Sequence, residues 1–299
     1  VYHVAHMLVE LGERVLLLDL DPQSDLTAMC VPEDRLETLW LDVQEHPETI
    51  LGSLRPILRG LEDIREPHVE TLRDGLAIVP GDLGLSRLED RLSDAWPRAL
   101  DGDGAAFRTL SAFHRAANLA AERHAADVVL FDVGPNLGAL NRAVMLAVDF
   151  VVTPVAPDLF SIQVLRNLGL TLLSWRAGWH ERLSTNPDDL ALPLPAGHMR
   201  PLGYVLMQAD MRLSRPVKTY AKWMSRIPGE YHRSVLRDHA SPLSTDQDPC
   251  CLGIMRHYQT LMPLAQDARK PMFQLLPADG AIGAQMDAVQ RCREDFERL

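Results

Sequence analysis

The stretch ERVLLLDLDPQSDLT, Glu13 to Thr27, decides how the rest of the chain is read. Its apolar run, Val15 to Leu18, enters Asp19-Leu-Asp21-Pro22. In a strand, residues two apart point the same way, so Asp19 and Asp21 project together from its C-terminal end. Pro22 cannot donate to a strand ladder, so pairing should stop there. Gln23, Ser24, Asp25 and Thr27 then read as a polar loop. At that edge of an open parallel sheet, ligands bind. Two carboxylates on one face suit a metal better than a turn cap, although a D-x-D of this kind also occurs in metal-dependent glycosyltransferases.

Working outward, further short apolar runs occur at 76–79, 128–131, 150–153 and 204–207. They read as strands buried on both faces. The spacing predicts helices over 1–11, 84–96, 105–125, 137–147, 160–176, 213–226 and 280–297. Continuous apolar strands interleaved with helices predict an α/β fold: one doubly wound, mostly parallel sheet with helices on both faces. A single domain over 1–299 is expected. Residues 32–73, rich in charge and proline, and 177–200, with three prolines, read as insertions, the second as an irregular loop. Residues 239–253 also read as a loop.

Composition narrows the function. The chain has 299 residues, 46% of them hydrophobic, and a net charge of −11. That excludes a generally basic nucleic-acid binder but permits a local basic patch. The cysteines, Cys30, Cys250, Cys251 and Cys292, fit no zinc or redox spacing, and His239 and His257 beside them complete no regular metal motif. A reduced, cytoplasmic protein is the simple expectation. The apolar region 143–155 is cut by Asp149 and is too short to span a bilayer, so no membrane partner is expected. Trp175 and Trp179 are read as packing residues rather than a partner surface.

A second carboxylate site lies in DVVLFDVGPNLGALNRAVMLAVDFVVTPVAP, Asp127 to Pro157. Four apolar residues lead into Asp132, the Walker B pattern, in which a strand-end carboxylate holds a Mg²⁺-bound water. Together with RVLLLDLDPQSDLT, this segment resembles the ParA/MinD-type P-loop ATPases, whose Walker A motif is deviant. GYVLMQADMRLSRPV (203–217) is similar to that family's next strand and turn. ARKPMFQLLPADGAIGAQMDAV (268–289) is similar to the approach to its C-terminal helix. The D-L-D-P-Q block favours the ParA-like branch.

The resemblance implies an ATPase with ATP and Mg²⁺ as cofactors. It implies that Asp19 and Asp132 support the metal and that Asp21 positions the attacking water. Pro22, Gln23 and Gln208 would line the nucleotide, with Gln208 near the adenine. It further implies an ATP-dependent homodimer, a stimulating partner protein, and a role in DNA partitioning or cargo positioning. Gly134 departs from the proline common in the family. The loop G-x-x-x-x-G-K-[ST] is absent, since no glycine precedes a lysine. The chain opens in an apolar helical stripe, Val1, Val4, Leu8 and Leu11, without an initiator methionine. The expectation is therefore an N-terminal truncation before or within the first helix, and a fragment inactive alone. Loss of the nucleotide site, leaving a non-hydrolysing scaffold, is the rival account.

Arg215, Lys218, Lys222 and Arg226 are spaced three, four and four apart, on one helical face. They form a local basic patch fit for salt-sensitive, sequence-independent contacts to DNA phosphates. An ordinary solvated face, or a nucleotide-gated regulator that binds protein without DNA, also satisfies this pattern.

Overall fold

In the computed structural model, the chain forms two compact units: Val1–Val148 with Trp175–His198, and Asp149–Ser174 with Met199–Leu299. The structure describes all residues except 42–44, 61–62, 188–189, 210, 213–214, 217, 239–243 and 259, and the side chains of 208–220 are likewise outside it.

The first unit holds a four-stranded sheet of order β2-β3-β1-β4, with β1 Val15–Asp19, β2 Glu70–Arg73, β3 Leu76–Val79 and β4 Val128–Asp132. β1 pairs in parallel with β3 and β4, whereas β2 runs antiparallel to β3. Its helices are α1 Tyr2–Glu10, α2 Asp25–Cys30, α3 Glu33–Trp40, α4 Ile50–Arg59, α5 Leu88–Leu100, α6 Gly104–Leu110, α7 Ala112–His124 and α8 Ala139–Leu146. The core joins Tyr2 and Ala5 of α1 with Leu26, Val31 and Leu39, against Val15, Leu17, Leu76 and Ile78 of the sheet. Every residue of β1 and β3 is buried.

The second unit holds a parallel sheet, β5-β6-β9, of β5 Phe150–Val155, β6 Arg200–Ala209 and β9 Cys251–Arg256. A two-stranded ribbon, β7 Met211–Arg212 and β8 Arg215–Pro216, lies beyond β6. Helix α9, Leu159–Leu183, contributes to both units; α10 Lys218–Met224, α11 Ile227–Tyr231, α12 Met262–Ala268 and α13 Ala284–Glu297 follow. The core here gathers Val155, Ile162, Leu165, Tyr204, Leu206, Ile227 and Tyr231.

The α/β class and the parallel pairings agree with the sequence reading. The helix expected over 213–226 begins only at Lys218 and ends at Met224, with Arg215 in strand β8 and Arg226 capping α11, so the four cations do not share one helical face. Three further details differ. β4 is half-buried throughout, and β5 alternates exposed and buried residues. Among the described residues each pairs on one side only, β4 with β1 and β5 with β6, so neither is enclosed as a central strand would be. Second, the expected helix over 105–125 breaks at Ser111, whose hydroxyl donates to the Phe107 carbonyl at 2.7 Å. Third, the expected loop at 177–200 is helical to Leu183. That last turn is held by Trp179, which donates its indole N–H to the Pro195 carbonyl at 2.8 Å and stacks on Trp96. Trp175 and Trp179 are both buried, as packing residues should be.

Candidate functional site

The parallel register of β1 and β4 sets Asp19 directly beside Asp132, both at the C-terminal ends of their strands. After Asp19 the chain leaves the ladder, and Leu20 N–H donates to the Asp132 carbonyl at 2.9 Å. Asp21 then closes a tight turn: its carboxylate accepts from Gln23 N–H at 2.9 Å and its carbonyl accepts from Ser24 N–H at 2.9 Å. Ser24 takes a positive φ of 55°, which redirects the backbone into α2. The polar loop expected here is therefore only Asp21 to Ser24, because helix begins at Asp25.

This early helix start brings Thr27 back over the strand end. Thr27 donates both its N–H (2.8 Å) and its hydroxyl (2.6 Å) to Asp19 Oδ2. The same hydroxyl accepts from Gly81 N–H at 2.8 Å. A Cβ at Gly81 would lie 2.8 Å from Asp19 Cγ and from Ser24 Oγ, so only glycine fits that approach. Gly134 is a similar case, because a Cβ there would meet the Asp21 carboxylate at 3.2–3.3 Å. The departure from proline at this position thus leaves room beside Asp21.

Asp19 is fully buried, yet its second oxygen, Oδ1, has no hydrogen-bond partner. Burial pushes its carboxyl up to about 6, against the Thr27 hydrogen bonds, and Asp132 adds to the rise. Asp132 is likewise raised, first by burial and then by the negative charges of Asp21 and Asp25. An unpartnered buried carboxylate oxygen beside a second carboxylate is an arrangement that a hard divalent cation or its bound water would neutralise. The donor set is all oxygen, which suits Mg²⁺.

The structure thus brings Asp19, Asp21 and Asp132 together, with Pro22 half-buried and Gln23 exposed in the intervening turn. Gln208 lies in β6, but its side chain falls outside the described residues, as do those of Arg215 and Lys218. Lys222 and Arg226 are described, and both cations lie over the Trp223 ring, at 5.0 and 5.2 Å. Sequence reasoning missed Thr27, Ser24 and Gly81 as parts of the carboxylate site. Thr27 alone carried a local signal, as a hydroxyl in the first turn of a helix that the motif's proline precedes.

A family model described as an AAA domain matches residues 1–183. A virulence plasmid ParA family protein of Chlamydia psittaci is 31% identical over 184 residues, 58% of this chain and 61% of that protein. The chain spans 61%, 37% and 36% of the length of the curated relatives it matches first, less than two thirds of each. Among solved structures, the protein DIP2308 of Corynebacterium diphtheriae superposes with a TM-score of 0.70 at 27% identity, covering 90% of this chain and 91% of that one. An ATP complex of McdA from Cyanothece gives 0.61 at 15% identity, covering 99% and 86%, a likeness of fold alone. Among the described residues no helix is long and apolar enough to cross a membrane.

Proposed function

From a chain that belongs to the AAA-domain family, as a ParA-like P-loop ATPase, we propose an ATP-gated dimerisation switch for DNA partitioning or cargo positioning. The single observation that carries this reading is the register Asp19–Asp132 together with the buried, unpartnered Asp19 Oδ1. Asp19 and Asp132 would hold Mg²⁺ through its water shell. When bound, the metal would offset phosphate charge and fix the nucleotide's orientation. Asp21 stands next to them on a turn pinned by Gln23 N–H, and Gly134 leaves its carboxylate accessible. In that place it orients the attacking water and receives its proton. Thr27 holds Asp19 Oδ2 with two donors, so that Oδ1 is the oxygen left without a partner. Gln208, Pro22 and Gln23 would line the nucleotide.

Hydrolysis in such a switch is slow and serves as a timer, because the partner-binding form exists only while ATP is held. The partners would be a second copy of the chain, non-specific DNA through Arg215, Lys218, Lys222 and Arg226, and a stimulating protein. These 299 residues contain no Gly-Lys pair, so the phosphate-cradling donors of the family motif are not among them.

The test uses the protein encoded by the complete reading frame. Asp21→Ala should abolish phosphate release while sparing ATP-dependent dimerisation measured by light scattering. Unchanged turnover would remove Asp21 from the reaction. A fall in both readouts together would make it a binding residue instead.

A further inference from the structure

Among the described residues, His232, Asp248 and Cys250 offer an imidazole nitrogen, a carboxylate oxygen and a thiol, all within 4.8 Å of one another. The three belong to the second unit, whereas the Asp19–Asp132 carboxylates belong to the first.

The frame around them is rigidly tied. Asp248 is buried, and its Oδ1 accepts from Cys250 N–H at 3.0 Å and stands 2.9 Å from His232 Nε2. Its Oδ2 accepts from the Tyr204 hydroxyl at 2.9 Å. Tyr204 N–H in turn donates to the Cys250 carbonyl at 2.8 Å, and Cys251 N–H donates to the Asp248 carbonyl at 3.0 Å. The turn 248–251 is therefore clamped to β6. On the other side, His232 opens a five-residue π-helical turn, His232–Leu236. Such turns are uncommon and concentrate at functional sites. Gly169 of α9 fixes this one, since a Cβ there would lie 2.0 Å from the Ser234 carbonyl oxygen.

We propose that His232, Asp248 and Cys250 form a site for a divalent transition-metal cation, zinc in the first place. Mixed nitrogen, oxygen and sulfur donors select a borderline-soft ion, whereas Mg²⁺ and Ca²⁺ call for oxygen alone. Tetrahedral zinc, with bonds of about 2.0–2.3 Å, places its ligand atoms roughly 3.3–3.8 Å apart. The observed 2.9 Å between His232 and Asp248, and the 4.8 Å limit on the set, bracket that spacing. Small side-chain rotations close the difference. Cys250 binds as the thiolate and releases its proton to solvent; His232 binds as the neutral imidazole. Three protein ligands leave the fourth position to water. Tyr204 then orients the Asp248 carboxylate, the usual place of an outer hydrogen-bond donor. This set replaces the one considered from sequence. His239 lies outside the described residues, and the Cys251 thiol points to the Gly253 carbonyl at 3.9 Å.

The test titrates the chelator-treated protein with Co²⁺, then Zn²⁺, with nucleotide and Mg²⁺ left out. The expected result is one Co²⁺ per chain, a thiolate-to-cobalt charge-transfer band, and displacement of that band by Zn²⁺. Cys250→Ser should abolish the band, His232→Gln should weaken binding at least tenfold, and Cys30→Ser should change neither. Circular dichroism checks that each variant is folded, with Cys250→Ala as the replacement if Cys250→Ser is not. A folded native chain that shows no charge-transfer band overturns the proposal. So does a band that survives in the folded Cys250 variant.

Discussion

The hydroxyl of Thr27 donates to Asp19 Oδ2 and accepts from Gly81 N–H, so one atom joins a buried carboxylate to a loop 54 residues further on. Removing it leaves the buried Gly81 N–H without that acceptor and takes from Asp19 Oδ2 one of its two donors, the Thr27 N–H remaining. Leaving a buried group unsatisfied costs about 1–3 kcal/mol, and more for a charged one. Thr27→Val, which keeps the shape, should therefore lower unfolding stability in urea by about 3 kcal/mol, whereas Thr27→Ser should lose little. Equal losses in the two variants would mean that the methyl group, not the hydroxyl, carries the effect. The legibility of the site divides along the same line. Asp19, Asp21 and Asp132 follow apolar strands, and a strand's period of two says where they point. Thr27 and Gly81 meet Asp19 only after α2 and the end of β3 are placed, so no local pattern announces them.

At the scale of elements, α1 lays Tyr2, Ala5, His6 and Met7 onto the first unit's core. His6 is 9% exposed, its Nδ1 has no hydrogen-bond partner, and its ring packs on Tyr2 at 4.6 Å. Burial, aided by the Arg73 charge, lowers its pKa from 6.5 to about 4; His3 moves the same way, to about 3. The fold thus holds His6 neutral, while the unfolded chain takes up a proton as pH falls below 6.5. Stability is full above that value and drains away as pH falls towards 4. At pH 5 the loss from His6 is about 2 kcal/mol relative to pH 7. Urea midpoints at the two pH values should differ accordingly, and His6→Leu should remove the His6 share while leaving that of His3; an unchanged difference in that variant would place the acid sensitivity elsewhere. Elements were legible where burial is two-sided, as in β1 and β3. β2 is polar and partly exposed, running ETLR along the outer side of β3, and so gives no apolar run to read. α4 carries Pro56 inside it, and β9 begins at adjacent cysteines after a proline-containing stretch, so breaker residues hid both.

Over the whole molecule the charge is −11, and DNA is repelled by most of such a surface. Any DNA contact must therefore be local, and it must show in how binding responds to salt. Lys222 and Arg226 flank the Trp223 ring, which holds both cations at the surface of α10 and the start of α11. Each phosphate contact releases counterions and contributes about −0.9 to the slope of log affinity against log salt. If both side chains touch phosphates, Lys222→Gln with Arg226→Gln should reduce the magnitude of that slope by about 1.8. The loss should be alike for unrelated duplex sequences, because phosphate contacts carry no base information. The measurement is fluorescence anisotropy on random duplexes, made with ATP on the complete protein, at several salt concentrations. Nucleotide-dependent dimerisation in the same sample shows that the switch itself is intact. An unchanged slope with normal dimerisation would separate the patch from DNA. It would then favour the reading in which the nucleotide gates a protein contact, for which salt dependence need not follow the number of phosphates.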